Sequence, residues 1–266
     1  MAELKILQVG KFYPIRGGVE KVMYDLMSGL SERGIRCDML CAVEGPSETI
    51  RLNDHANLIC CHALVKAAAT MISPAMVWRL RRICREYDII HVHHPDPMAC
   101  LALILSGYKG RVILHWHSDI LKQKTLLKLY RPLQRWLINR AERIVGTTPL
   151  YLQESPYLTD VQAKTVCVPI GITPPKRNPA IGEALRAQYP GKKIVFSLGR
   201  LVEYKGFEHL VEAARYLDDQ FVILIGGSGP LKEKLQAAID RWGLNDKVKL
   251  LGFLSEQELP AYYEAC

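Results

Sequence analysis

The stretch FSLGRLVEYKGFEHLVEA at residues 196–213 predicts a β-strand, a turn and an α-helix in succession. A run of apolar residues predicts a strand at Lys193–Leu198. Apolar residues at helical spacing then predict a helix from Gly206 to Tyr216. The turn between them carries two cations and two glycines. Because ligands bind at the carboxyl ends of parallel strands, this stretch predicts an α/β fold and a binding site together.

Arg200 and Lys205 are the two cations of that turn. A guanidinium presents a planar fork to phosphate oxygens, and an ammonium group presents a compact point charge. The pair can therefore neutralise a diphosphate without a metal ion. The alternative is an ordinary basic turn that contacts only solvent.

The alternation of strand and helix continues to the end of the chain. We predict strands at Phe221–Ile225 and Val248–Leu251, and helices at Pro230–Trp242 and Ser255–Ala265. Three parallel strands leave an open edge where a doubly wound sheet would continue. Either the second domain is unusually small or the chain is truncated, and we expect truncation, with an incomplete second domain.

Upstream, Leu4–Gly10 predicts a buried strand and Gly17–Arg33 predicts the helix that follows it. Further short apolar runs predict strands at Cys37–Val43, Leu58–Cys61, Ile89–His93, Val112–His115, Ile144–Thr147 and Thr165–Pro169. Strands separated in this way by longer stretches indicate a parallel sheet. The segment ITPPKRNP at 172–179 suits neither a helix nor a central strand, so we divide the chain into domains 1–175 and 176–266.

Composition excludes several classes of protein. The 266 residues are 49% apolar, which is enough to bury one or two cores, and no apolar stretch approaches the roughly 20 residues of a spanning helix. The opening MAELKILQVG lacks a signal-peptide pattern and the eight cysteines include no CxxC pair, so we expect a cytoplasmic protein. Of the net charge of +8, +7 falls in residues 1–175, which predicts an anionic partner or a solvated surface.

Two glycine-rich turns lie at predicted strand ends. At Gly17 and Gly18, backbone amides and a helix N-terminus can approach a phosphate, although a tight turn without a ligand needs the same residues. The run GGSG at 226–229 lies at another predicted strand end, where a loop that shapes a binding cleft and a plain turn explain it equally well.

Clustered histidines and cysteines raise the question of a metal site. In a strand, His91 and His93 share one face while His94 points away, and no carboxylate or cysteine at fixed spacing completes a coordination shell. The run CCH at 60–62 lacks a second pair of ligands at zinc spacing. We therefore predict no metal site.

Another pair of histidines, His115 and His117, shares a face near the end of a predicted strand. His117 directly precedes the small polar residues Ser118 and Asp119, where the strand is expected to reach the site. We therefore choose His117 as the functional histidine and assign His115 to packing.

Seven motifs occur together in a fixed order. They are GGVE (17–20), DIIHVHHP (88–95), LHWHSDI (114–120), VPIGI (168–172), GRLVEYKGFEHLVEA (199–213), GGSGPLKEKL (226–235) and LGFLSEQELPAYYEA (251–265). In this combination the chain resembles, over essentially its whole length, the retaining glycosyltransferases of family 4. The resemblance implies an α/β fold of the GT-B type, in which two Rossmann-like parallel-sheet domains face a cleft, the second being incomplete here.

The resemblance further implies transfer of a sugar, with retention, from a nucleoside diphosphate to a glycan or lipid-linked acceptor in polysaccharide synthesis. The HWHSDI and KQK context is similar to bacterial mannosyl- and rhamnosyltransferases, which implies GDP-mannose or another NDP-sugar as donor, with no metal, cofactor or nucleic acid. The implied site residues are catalytic His117, diphosphate-binding Arg200 and Lys205, Gly17 and Gly18 beside the donor phosphate, and Phe253 and Leu254 beside the base.

One part of the family pattern is absent. Two glutamates separated by seven residues normally follow the helix that ends here at Ala265. An inactive fragment that keeps acceptor or partner binding is therefore the alternative function. A dinucleotide-dependent oxidoreductase would need GxGxxG after the first strand, where this chain has GKFYPIRGG at 10–18.

The segment from Lys122 to Arg143 carries seven basic residues and a single acid. On a helix of about 100° per residue, two opposite sides collect the basic group Lys124, Lys128, Arg131 and Arg135 and the apolar group Leu126, Leu129, Tyr130, Leu133 and Leu137. A basic face beside an apolar one predicts peripheral binding to the anionic inner face of the cytoplasmic membrane. Packing of the apolar side on the sheet is the alternative.

Overall fold

The computed structural model describes residues 4–15, 17–67, 70–120, 124–172 and 178–266. The chain divides into two compact units, Met1–Gly171 and Ile172–Cys266. The linker predicted at 172–179 falls largely on residues 173–177, which lie outside the described ranges.

In the first unit, strands and α-helices alternate from Pro74 to Cys167, after a series of five strands from Arg36 to Ile72. In chain order, the elements are β1 (Lys5–Phe12), α1 (Gly18–Ser31), β2 (Arg36–Val43), β3 (Glu48–Asn53), β4 (Ala56–His62), β5 (Val65–Ala67), β6 (Thr70–Ile72), α2 (Pro74–Ile83), β7 (Ile89–His94), α3 (Pro97–Ser106), β8 (Arg111–Trp116), α4 (Lys124–Arg140), β9 (Arg143–Gly146), α5 (Pro149–Glu154) and β10 (Thr165–Cys167).

Eight of these strands form one sheet in the order β10-β9-β8-β7-β1-β2-β4-β3. All neighbouring pairs are parallel except β3 with β4, so the predicted parallel sheet is confirmed for its centre. The antiparallel edge strand β3 and the small β5–β6 hairpin were not predicted. Five of the six β3 residues are exposed, so the strand carries no apolar run that would have indicated it.

The centre of this sheet is buried on both faces. Residues Leu7, Val9, Ile90, Val92 and Leu114 of the three central strands are almost completely inaccessible to solvent. Burial of apolar surface on this scale supplies the main driving force for folding of the unit. Because the central strands are parallel and buried, they fix the polar side chains at their carboxyl ends in defined positions.

The second unit is a smaller α/β unit. Its elements are α6 (Pro179–Arg186), β11 (Lys193–Leu198), α7 (Phe207–Ala213), β12 (Phe221–Gly226), α8 (Lys232–Arg241), β13 (Val248–Gly252) and α9 (Leu259–Ala265). The strands form a parallel sheet in the order β11-β12-β13, as predicted.

Its helices are shorter than the sequence pattern predicts. The helix expected at Gly206–Tyr216 ends at Ala213, and a 3-10 turn continues it to Tyr216. The helix expected from Ser255 begins at Leu259, because Ser255 and Glu258 form a hydrogen-bonded turn before it. No helix in the described ranges is long and apolar enough to cross a membrane.

Candidate active site

Four histidine rings lie in a row on one face of the large sheet. His91 and His93 project from β7, and His115 on β8 pairs in register with His93. His117 follows the end of β8, and its ring stacks on that of His115 with centroids 4.1 Å apart. The centroids of His91 and His93 are 4.6 Å apart, and those of His93 and His115 are 5.1 Å apart. Period-2 alternation and strand register together therefore build the row.

A chain of hydrogen bonds connects His117 to the centre of the sheet. His93 Nδ1 lies 2.9 Å from His117 Nε2, and His93 Nε2 lies 2.6 Å from Gln8 Oε1. The Gln8 amide nitrogen is directed to Cys37 Sγ at 3.7 Å. With this amide orientation His93 donates to Gln8 and accepts from His117, which leaves the Nδ1 lone pair of His117 for another partner.

Gln8 and His93 were not among the predicted site residues. Both are completely buried, and Gln8 is a polar residue inside the apolar strand β1. A buried polar side chain needs a partner. The sequence therefore indicates that Gln8 has a hydrogen-bond partner, but it does not identify that partner.

Burial keeps the histidine row uncharged. It lowers the pKa of His91 to about 3 and that of His115 to about 4. Burial and the positive charge that neighbouring imidazoles would carry lower the pKa of His117 to about 2, and that of His93 lies well below its usual value. These imidazoles are therefore neutral near pH 7, where they act as hydrogen-bond donors, acceptors or metal ligands.

His115, which the sequence pattern assigned to packing, lies beside His91 and His93. His115 belongs to the same cluster, and the nearest ligand atoms of the three histidines all lie within 4.8 Å of one another. His94 is separate: its ring stacks on Trp116 at 3.7 Å, and the Gln134 amide contacts its Nε2 at 3.0 Å. Strand register brings His115 to the cluster, and sequence spacing alone does not reveal it.

Cys60, Cys61 and His62 do not converge. Cys60 and Cys61 belong to different apolar clusters on the two faces of β4, and both are buried. The exposed His62 directs Nδ1 to the carbonyl oxygen of Gly45 at 2.9 Å.

Two carboxylates, the buried Asp96 and the half-buried Asp119, accept hydrogen bonds from the segments beside the histidine row. Asp96 accepts hydrogen bonds from the amides of Met98 and Ala99 at the start of α3, and another from the amide of Lys11 near the end of β1. Asp119 accepts from Trp116 Nε1 at 2.8 Å and from Ser155 Oγ at 2.9 Å. The Ser118–Asp119 segment therefore anchors the loop after His117.

Gly17 and Gly18 lie at the N-terminus of α1. Gly17 has extended backbone geometry and precedes the helix, and a Cβ added to Gly18 would meet open space. A Cβ on Gly17 would lie 2.8 Å from Oε2 of Glu20, a buried residue of the first turn. The Glu20 carboxylate thus occupies space beside the loop where the sequence predicts a donor phosphate.

In the second unit, backbone hydrogen bonds join the loops that follow the three strands. The amide of Gly199 donates to the carbonyl of Gly226 at 3.0 Å, and that of Gly227 donates to the carbonyl of Gly252 at 2.6 Å. Leu201 donates to the carbonyl of Ser228 at 3.0 Å. The three strand ends therefore form one connected backbone surface.

Close backbone approach explains two glycines in the GGSG run. A Cβ on Gly227, whose φ is +125°, would lie 1.9 Å from the carbonyl oxygen of Gly199. A Cβ on Gly229 would lie 2.4 Å from the carbonyl oxygen of Leu201. The run therefore holds the loop that carries Arg200.

Arg200 and Lys205 are exposed in this loop. Lys205 ends a 3-10 turn at Glu203–Lys205, and Gly206, with φ of +68°, joins that turn to α7. The Lys205 ammonium lies 5.6 Å from the ring centroid of Tyr204. Within the described ranges, neither cation forms an ion pair with an acid.

Phe253 and Leu254 follow β13 and differ in exposure. Phe253 is 78% exposed, whereas Leu254 is 8% exposed and packs beneath Gly226. Phe253 is therefore available to a ligand, and Leu254 supports the adjacent glycine loop.

The surface helix α4 presents a mixed face to solvent. Lys128, Arg131 and Arg135 are exposed, together with Leu129 and Trp136. The apolar residues Tyr130, Leu133 and Leu137 pack against the core of the unit. Leu129, from the same predicted apolar side, is not packed in this way, since this residue is 76% exposed. The side chain of Lys124 lies outside the description.

Two family models together match most of the chain. The model described as Glycosyltransferase Family 4 matches residues 16–174, and the model described as Glycosyl transferases group 1 matches residues 185–266.

Curated bacterial proteins are similar along nearly the whole chain. The O-antigen chain mannosyltransferase C of Escherichia coli is 29% identical over 99% of this chain and 71% of its own length. The D-rhamnosyltransferase WbpZ of Pseudomonas aeruginosa is 28% identical over 91% of this chain and 63% of its own length. The chain thus spans between 63% and 71% of these two relatives.

Solved structures share the fold. Anabaena Alr3699/HepE in complex with UDP and glucose matches with a TM-score of 0.74 and 19% identity, over 99% of this chain and 72% of that chain. Sucrose-phosphate synthase from Thermosynechococcus elongatus matches with a TM-score of 0.72 and 18% identity, over 99% of this chain and 74% of that chain. These matches confirm the α/β fold class of the GT-B type.

Proposed function

Since the chain belongs to glycosyltransferase family 4, we propose that it transfers a sugar from a nucleoside diphosphate to a glycan or lipid-linked acceptor in polysaccharide synthesis. The names of the E. coli and P. aeruginosa relatives support a sugar of the mannose type, and hence GDP-mannose as the first donor to test. Retention of the anomeric configuration is part of the proposal, carried over from the resemblance of the motifs.

The observation that carries this proposal is the cationic loop after β11. Arg200 and Lys205 are exposed there, and neither is neutralised by an acid in the part of the chain that the structure describes. During transfer, the bond between the anomeric carbon and the donor phosphate oxygen breaks, and its electron pair stays with that oxygen. The leaving diphosphate gains negative charge, which the two cations stabilise more strongly in the transition state than in the ground state.

His117 is proposed to bind the reacting sugar as a neutral imidazole. Its pKa of about 2 excludes a positive charge near pH 7. Its Nε2 is held by His93, so the ring has a fixed orientation and Nδ1 can accept a hydrogen bond from a hydroxyl group. In this proposal His117 orients the substrate, and the charge of the leaving group is handled by Arg200 and Lys205.

The first experiment measures thermal stabilisation of the purified 266-residue protein by GDP-mannose, UDP-glucose and other nucleotide sugars, followed by release of the nucleoside diphosphate with polysaccharide or lipid-linked acceptors. For the variants Arg200→Ala and Lys205→Ala we expect turnover to fall by about 100-fold, because each removes a donor aimed at developing charge. Arg241→Ala, which removes an exposed cation at the end of α8, is the matched control.

Equal turnover in all three variants would remove the diphosphate assignment. Folded protein that no nucleotide sugar stabilises would contradict the transferase proposal. That second outcome would favour a binding fragment without activity.

The exposed face of α4 supports a second element of the proposal, peripheral binding to an anionic membrane that carries the acceptor. Lys128, Arg131 and Arg135 lie beside the exposed apolar side chains of Leu129 and Trp136. Each cation near an anionic leaflet contributes about 1 kcal/mol, and an apolar group at the interface adds to it.

We expect the protein to sediment with anionic vesicles at low salt and to remain in solution with neutral vesicles. Replacement of the three α4 cations by glutamine should abolish sedimentation. A control with Arg81, Arg85 and Lys109 replaced by glutamine makes the same change in charge at exposed positions elsewhere in the unit. Equal sedimentation of both triple variants would reject a specific role for α4.

A further inference from the structure

Three imidazole nitrogens in the histidine row lack hydrogen-bond partners. Nε2 of His91 and both ring nitrogens of His115 are shielded from solvent and have no hydrogen-bond partner among the described residues. His115 is 4% exposed. Buried polar atoms normally have hydrogen-bond partners, so three without one in a single cluster call for an additional ligand.

The arrangement of the three strand histidines suits a cation. His91 and His93 are two residues apart on β7, and His115 is the in-register neighbour of His93 on β8. Their nearest ligand atoms lie within 4.8 Å of one another. A tetrahedral zinc ion with bonds of about 2.1 Å separates its ligands by about 3.4 Å, so rotation of the side chains by roughly 1–2 Å at the ring nitrogens closes the set.

A hydrogen bond beyond the three ligands also fits this role. Metal-binding histidines usually donate their second ring nitrogen to a carbonyl or carboxylate, which fixes the tautomer. His93 already donates Nε2–H to the amide oxygen of Gln8 at 2.6 Å, with Gln8 completely buried. Its Nδ1 is then the nitrogen with a free electron pair, and it currently accepts from His117.

We propose that His91, His93 and His115 form a binding site for one divalent transition-metal ion. Three neutral imidazoles favour zinc, cobalt, nickel or copper over magnesium or calcium, which prefer oxygen ligands. Within the described residues, this is the group of three or more histidine, cysteine or acidic side chains whose ligand atoms converge.

The site would act on the candidate active site through His93. Nδ1 of His93 cannot accept from His117 and bind a metal ion at the same time. An ion bound there therefore releases His117 from its partner. Metal binding itself requires no sugar transfer and can be tested without a substrate.

The experiment titrates the purified, reduced protein with Zn²⁺ in competition with a chromophoric chelator, and separately records the visible spectrum with Co²⁺. We expect one ion per chain and a Co²⁺ spectrum without a thiolate charge-transfer band. His91→Leu and His115→Leu each remove a ligand while retaining an apolar side chain, and each should weaken binding by at least about 100-fold. His209→Gln, at an exposed position on α7, is the control and should bind as the original protein does.

Circular dichroism and thermal unfolding in chelator establish that each variant folds. Failure of the folded original protein to bind Zn²⁺ would overturn the proposal. So would binding that survives both leucine substitutions, or a thiolate band in the Co²⁺ spectrum of the original protein, since each would assign the ion to other ligands.

Discussion

Gly227 provides a test of how the second unit holds its cationic loop. Its backbone has φ of +125°, and a Cβ at this position would lie 1.9 Å from the carbonyl oxygen of Gly199. Arg200 follows Gly199 directly. In Gly227→Ala, either this residue or the 199–201 loop must move by more than about 1 Å to restore an ordinary contact.

Two contributions to the destabilisation can be separated. Strained backbone geometry for a residue other than glycine costs about 1–3 kcal/mol, and overpacking against a fixed neighbour costs another 1–3 kcal/mol or so. We therefore expect Gly227→Ala to lower the free energy of unfolding of the second unit by about 2–6 kcal/mol. Gly243→Ala is the matched control, because Gly243 has φ of +64° but no atom within 4 Å of the added Cβ. That control should lose only the backbone contribution, about 1–2 kcal/mol.

Hydrogen exchange read by mass spectrometry provides the assay, because peptides from β11, β12 and β13 report the opening of the second unit separately from the first. Gly243 lies between α8 and the start of β13, and the cationic loop lies at the opposite, carboxyl ends of the strands. Donor stabilisation should therefore fall in Gly227→Ala and persist in Gly243→Ala. Equal protection of β11 in the two variants, or unchanged donor binding in Gly227→Ala, would refute the argument.

In the presence of chelator, the free energy of unfolding should fall steeply below pH 6.5, because burial lowers the pKa of His91, His115 and His117 to about 3, 4 and 2 in the folded protein. Below pH 6.5 the unfolded chain binds protons that the folded chain excludes, so the free energy of unfolding falls by about 1.4 kcal/mol per histidine for each pH unit. Equal urea midpoints at pH 7 and pH 5 would contradict this prediction. Asp96→Ala should destabilise the first unit by about 2 kcal/mol and Ser73→Ala by about 1 kcal/mol. The Asp96 carboxylate accepts three hydrogen bonds, two from α3 and one from Lys11 in β1, whereas the Ser73 hydroxyl accepts one from Met76 in α2 and donates one to the carbonyl of His62. Urea denaturation of both variants measures the difference, and a larger loss in Ser73→Ala would reject the bridging role of Asp96.

The sequence was sufficient to predict elements whose signal is local. Apolar runs placed β2, β7, β8, β11 and β12 within a few residues, because each strand is rich in apolar residues and bounded by turn residues. The edge strand β3 was not predicted, because Glu48–Asn53 is exposed and is held mainly by pairing with β4. Pairing between strands is a tertiary contact that composition does not encode.

The helical pattern of α4 illustrates a second limit. A helical wheel correctly separates the exposed cations Lys128, Arg131 and Arg135 from the packed residues Tyr130 and Leu137. It also places Leu129 on the apolar side with them, yet Leu129 is exposed, because the core covers a narrower arc of the helix than the apolar residues occupy. The wheel gives the direction of a side chain, whereas the width of the contact depends on the neighbouring elements.

Prediction of the histidine row requires both the residue pattern along one strand and the pairing between strands. Alternation along β7 places His91 and His93 on one face, and this follows from the sequence alone. Whether His115 meets them depends on the register of β8, because a shift by one residue would turn His115 to the other face and bring its neighbours in its place. Gln8 joins the row through β1, the neighbour of β7 on the other side. Polar residues inside buried strands therefore identify candidates for a site, but only the order and register of the strands decide which of them act together.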